Sequence, residues 1–146
     1  MAQAVPQNFE NHARFVPPYH FVASGILAIN LIWSLYKIVR YPSGDTVIGL
    51  LLAFAFLIVW FYARVFALSV QDRVIRLEMT LRLEKLLASD LRPRIQELSL
   101  GQLIALRFAS DEELPELARK VLQDRNLAPK EIKRMVKNWN PDYLRA

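Results

Sequence analysis

The chain contains no cysteine. That excludes disulfide staples, thiolate metal ligands and a cysteine nucleophile. Glycine is scarce, four in 146 residues, and none builds the Gly-rich loop that cradles a phosphate. Histidine is scarcer still. His12 and His20 lie eight residues apart around Pro17-Pro18, not at the i,i+4 spacing of a helical metal pair. No GxSxG elbow occurs, and scattered serines with two N-terminal histidines make no hydrolytic triad. The expectation is a non-enzyme with no catalytic, cofactor-binding or metal-binding residues and no small-molecule ligand.

Charge is absent from two long stretches. Pro17 to Tyr36 carries no acidic or basic residue apart from His20, and Thr46 to Ala63 carries none at all. A membrane-spanning helix needs about 20 apolar residues, within a range of ~17–25. The second stretch is apolar on every side, whereas a surface helix would show a polar face. The first starts some way into the chain, lacks a basic leader and is followed by Trp33 and Tyr36, which argues against a cleaved signal peptide. The reading is a transmembrane hairpin over residues 17–70, with spans at about 18–37 and 46–68, joined through Pro42, Ser43 and Gly44. Residues 1–16 form an N-terminal segment, and 71–146 follow the hairpin.

A hairpin puts both ends on one side. The loop offers Lys37 and Arg40, the other side Arg14, Arg64, Arg73 and Arg76. Basic residues flanking spans stay in the cytoplasm, so both termini are expected there, with the protein in the inner (plasma) membrane. Tyr19, Trp60 and Tyr62 would mark one interface, and Trp33, Tyr36 and Tyr41 the other. Small residues let spans approach closely. Ser24 with Ala28, and Gly49 with Ala53, have that spacing. Asn30 and Ser34 add a polar stripe on a different face of the first span. They could meet the second span, meet a neighbouring subunit, or line an oligomeric pore. The bland alternative is that Asn30 bonds within its own hairpin. No Asp, Glu, Lys or Arg lies inside either uncharged run, which counts against an ion pathway.

Proline is missing between Pro42 and Pro93. The second span is therefore expected to continue unbroken to about Ala88, forming a cytoplasmic stalk followed by short helices, in an all-α fold. The stalk carries a heptad-like stripe: Ala63, Ala67, Val70, Val74, Leu77, Leu81, a miss at Glu84, then Ala88 and Leu91. A second stripe, Ile75, Met79, Leu83 and Leu86, lies on roughly the opposite face. Two apolar faces need two neighbours. One is the chain's own C-terminal helices, and the other could be a second copy, unless both pack within one chain. Glu78–Arg82 has the favourable i,i+4 order of a helical ion pair.

Ser99 with Gln102, and Ser110 with Glu113, fit the capping-box spacing. Asp111, Glu112, Glu113 and Glu116 would then complement a helix N-terminus, and they lack the spacing of a calcium loop. A last helix from Pro129 through Trp139 sets Ile132, Met135, Val136 and Trp139 on one face, with Lys130, Lys133, Arg134 and Lys137 around the rest. Those four basic residues suggest contact with anionic lipid or a protein partner. The alternative is an apolar face packed on Leu117, Val121 and Leu122 with solvated lysines. A helix-turn-helix can be drawn through Asn126, but its turn is long and lacks glycine. Residues 64–146 hold 16 Lys/Arg against 12 Asp/Glu, too mild a surplus for a nucleic-acid module. The expected partners are the bilayer and either further copies of the chain or other membrane subunits.

Several strings also carry a resemblance. Gln7-Asn8, Asn11-His12, Arg14-Phe15, Pro18 and Tyr19-His20-Phe21 precede the first span. Gln71-Asp72-Arg73-Val74-Ile75-Arg76-Leu77-Glu78 leaves the second. Leu106-Arg107-Phe108-Ala109-Ser110-Asp111-Glu112-Glu113-Leu114, Lys137-Asn138-Trp139 and Pro141-Asp142-Tyr143-Leu144-Arg145 close the chain. As a set they resemble an uncharacterised family of short bacterial two-span membrane proteins. The resemblance covers nearly the whole chain. It implies a bacterial membrane location and brings no functional residues with it.

Overall fold

A computed structural model describes residues 8–10 and 16–142. Arg14, His12 and the closing Tyr143-Leu144-Arg145 string lie outside the described residues. The fold is all-α: among the described residues there is no strand, only an isolated bridge between Ala109 and Trp139. A π-helical turn, Pro18–Ala23, runs into α1, Ser24–Arg40. Then come α2, Gly44–Leu86, a 3-10 turn, Arg92–Glu97, and the helices α3 (Leu100–Leu106), α4 (Leu114–Gln123) and α5 (Pro129–Met135).

The chain divides into two compact units, residues 14–68 and residues 69–146, the second joined by residues 1–13. In the first unit the helices overrun the expected spans. The connection between them shrinks to Tyr41, Pro42 and Ser43. Lys37 and Arg40 stay helical because basic side chains suit a helix C-terminus. Ser43 starts α2 through a reciprocal cap: its amide donates to Thr46 Oγ1 at 2.9 Å, and the Thr46 amide donates back to Ser43 Oγ at 3.3 Å.

With no proline to break it, α2 runs for 43 residues, about 65 Å at 1.5 Å per residue. It ends at Leu86, two residues short of Ala88. Arg92 Nε donates to the Leu87 carbonyl at 3.0 Å and so occupies one of the acceptors left at that end.

The second unit is a small helical module built on the last turns of α2. Ile75, Met79, Leu83 and Leu87 are buried in one cluster with Leu103, Leu106, Leu114, Val121, Leu122 and Ile132. Helix α3 packs on α5 and α4, and α4 on α5. The capping box at Ser99 forms as expected: the Gln102 amide donates to Ser99 Oγ, and Gln102 Oε1 accepts from the Ser99 amide. Gln102 Nε2 also donates to the Arg125 carbonyl at 3.0 Å, which ties α3 to the α4–α5 turn.

Candidate assembly surface

In the hairpin unit the sealed positions are small. Ala53 is 1% exposed, and Ser34 is buried. Ser34 Oγ donates to Asn30 Oδ1 at 3.4 Å, and Asn30 is half-buried. The polar stripe is thus turned inward and bonded to itself. Of the two small-residue pairs, Ala53 is sealed and the other three residues are less covered. Ser24 is half-buried, and its hydroxyl donates to the carbonyls of His20 and Phe21 one turn earlier. Ala28 is exposed. Gly49 is half-buried, but an added Cβ there would meet nothing within 4 Å, so close approach does not require it.

Four of the aromatic residues pair by stacking. The Tyr19 ring stacks on Trp60 with centroids 5.3 Å apart, and its hydroxyl donates to the Trp60 carbonyl. The π-helical turn is the local device that carries Tyr19. Trp33 stacks on Tyr36 at 5.5 Å. Outside this seam the hairpin is apolar and uncovered: Phe21, Ile26, Ile29, Ile32, Ile48, Leu51 and Phe66 are all exposed. Both helices are long and apolar enough to cross a membrane, and their most apolar windows are only 0% and 6% buried. The core helix of a soluble protein would be mostly covered.

The stalk portion of α2 shows its two stripes in opposite states. Ile75, Met79 and Leu83 are 4%, 3% and 0% exposed, beneath the C-terminal helices. Val70, Val74, Leu77 and Leu81 are 62%, 47%, 61% and 57% exposed. One face is satisfied within the chain and the other has no cover. Beside Leu77 runs an open groove of about 690 Å³ lined by Ser69, Asp72, Arg73, Arg76, Thr80 and Leu100.

Two of the four basic residues of the last helix lie over aromatic rings. Lys133 Nζ lies 5.3 Å from the Phe108 ring centroid, and the Arg134 guanidinium 5.5 Å from that of Phe9. Lys130 and Lys137 are exposed. The helix itself stops at Met135 rather than Trp139, because Trp139 leaves it to pair with Ala109 and to cover Phe108 at 4.7 Å. Its apolar side does enter the core through Ile132 and Val136.

Three residues with structural roles escaped the sequence reading. Arg82 bonds across the module instead of to Glu78. Its Nε donates to Asp111 at 2.7 Å, Nη1 to the Arg107 carbonyl at 3.1 Å and Nη2 to the Ala109 carbonyl at 2.7 Å. Arg107, 8% exposed, pairs with Asp142 at 3.1 Å and lies over Phe108. Glu113 is not a capping-box partner of Ser110: α4 starts at Leu114, and the Glu113 carboxylate accepts from the amides of Lys137 and Asn138, both at 3.1 Å. The acidic group therefore has specific partners. Lys120, 2.7 Å from Glu116, holds that carboxyl below its ordinary range. Among the described residues no three acidic or histidine side chains gather as a metal-binding group.

One family's sequence profile matches residues 1–146. The chain belongs to DUF6526, a family of unknown function. No curated protein and no solved structure matches it. Membership in DUF6526 spans both units, so the exposed stalk face and the apolar hairpin lie within one family unit.

Proposed function

We propose that the chain is a non-enzymatic integral membrane protein of the inner membrane, whose hairpin crosses the bilayer with both termini cytoplasmic and whose stalk face assembles it. The product is a homo-oligomer or an accessory position in a larger membrane complex. The observation that carries this reading is the uncovered stripe Val70, Val74, Leu77 and Leu81 on a helix whose opposite face is already packed. A Val or Leu side chain moved fully out of water contributes ~1.5–3 kcal/mol, and a water-facing surface has little reason to align four of them.

The topology has two supports. Basic residues favour the terminal side. Phe9 lies against Arg134, so the N-terminal segment and the C-terminal helices share one unit, as a hairpin with both ends on one side allows. A pore lined by Asn30 and Ser34 draws no support from their bond to each other on a closed-off face. A nucleic-acid role draws none from the basic residues of α5, two of which lie over aromatic rings of the chain.

Native mass spectrometry from mild detergent tests the assembly. Oligomers or a complex with another membrane protein are expected, and Leu77→Asp combined with Leu81→Asp should return the chain to a monomer. A wild-type chain that is monomeric and without partner would overturn the reading.

A further inference from the structure

The stalk face has a register, and the register points to its occupant. With Val74 and Leu81 at heptad position a, Val70 and Leu77 fall at d. Ile75, Met79 and Leu83 then occupy b, f and c. These are the outer positions of a coiled coil, and they are the ones buried under the C-terminal helices. The chain's own module therefore covers the outside of such a coil and leaves its seam open.

The flanks of that seam are complementary in charge. Arg73 sits at g and Glu78 at e, and both are exposed. In a parallel, in-register pair, position g of one helix meets position e of the other five residues further on. That offset joins 73 to 78. The neighbouring combinations, Phe66 with Gln71 and Thr80 with Lys85, set no like charges together. An antiparallel pair would bring g to g and e to e instead, losing the Arg–Glu match. We propose that the occupant of this face is a second copy of this chain, parallel and in register, with Arg73 of each copy paired to Glu78 of the partner subunit.

This rests on the membrane-assembly reading above and goes further by fixing orientation and register. Copies inserted in one bilayer with one topology are parallel by necessity. The shared membrane also confines them, which raises their effective concentration. A seam of two heptads, short for a free coiled coil, then suffices.

Because the chain has no cysteine, single introduced cysteines give a clean readout in full-length protein reconstituted in lipid vesicles. Val74→Cys at the seam should yield covalent dimers on mild oxidation, and Arg76→Cys on the flank at c should not. Arg73→Glu or Glu78→Arg alone turns two attractions into two repulsions and should weaken dimerisation roughly tenfold. The double variant Arg73→Glu/Glu78→Arg should restore it. Both positions are exposed, so far-ultraviolet circular dichroism should not change. Dimers that form but ignore the charge reversals, or that cross-link through Arg76→Cys in preference to Val74→Cys, overturn the parallel register and leave assembly standing. A chain monomeric in native mass spectrometry overturns assembly itself.

Discussion

Replacing Arg82 with alanine tests what ties the stalk to the helices packed on it. The guanidinium spans three acceptors, and they are not equal. Asp111 is 63% exposed, so its ion pair, although 2.7 Å long, is screened by water and contributes under ~1 kcal/mol. The carbonyls of Arg107 and Ala109 follow the end of α3, where helical acceptors lack intrahelical donors. A hydrogen bond from a charged donor to such a group contributes ~1.5–3 kcal/mol. The Arg82 side chain is 21% exposed, so water replaces part of what is lost. The lower half of that range applies twice, giving about 3–4.5 kcal/mol for Arg82→Ala. Asp111→Asn should cost under ~1 kcal/mol. Arg82→Lys should fall between them, since a compact ammonium cannot reach all three acceptors in one plane. Denaturant unfolding of the full chain in detergent measures this. In a Trp33→Phe/Trp60→Phe background, the fluorescence of Trp139, which lies against Phe108, reports on the C-terminal module alone. If Asp111→Asn destabilises as much as Arg82→Ala, the carbonyls are not the tie and the reasoning fails.

Two further outcomes follow from the same module. An added Cβ on Gly101 would lie 3.0 Å from Pro129 Cγ, so Gly101→Ala trades ~1 kcal/mol of helix propensity against a tight contact and should change stability by less than about 1 kcal/mol. Gly101→Val should cost ~1–3 kcal/mol through overpacking, and a Gly101→Val protein as stable as wild type would contradict the α3–α5 contact. The Glu97 carboxyl is held below its ordinary value of 4.5, first by the hydrogen bond from Arg94; burial opposes the lowering, and the charges of Arg125 and Arg94 add to it. A depressed folded-state pKa means its stabilisation is complete above about 4.5 and fades as pH falls through the lower folded value. Glu97→Gln should therefore flatten the acid limb of the stability–pH curve, though only slightly, because water reaches the group. Unfolding midpoints across that range check it, and a wild-type curve rising toward acid would refute it.

The long helices were legible because their cause is local. Uncharged length and the missing proline specify α1 and α2 without reference to anything else, and Ser99 with Gln102 specifies a cap within four residues. The two stalk stripes were legible as well, but periodicity cannot say which one the chain covers itself. That depends on how α3, α4 and α5 pack, a matter of contacts distant in sequence. The failures share this origin. Glu113 at capping-box spacing instead accepts amides from residues 137 and 138, and Arg82 passes over Glu78 for a loop 25 to 29 residues away. Trp139 continues the apolar pattern of α5, yet a better partner in Ala109 and Phe108 takes it out of the helix. At the candidate face, the residues Val70, Val74, Leu77 and Leu81 could be named from the sequence, whereas their exposure could not.

The pairing of Ala109 with Trp139 also sets an order of events. A chain made from its N-terminus produces Phe108 well before the indole that covers it, and the amide of Asn140 that bonds the Phe108 carbonyl comes later still. Both apolar helices and the whole of the stalk are complete by then. The module therefore closes late, by a long loop whose ends must find each other, at an entropic cost that grows only slowly with loop length. Trp139 and Asn140 are in this sense the latch on a core whose other parts are already in place.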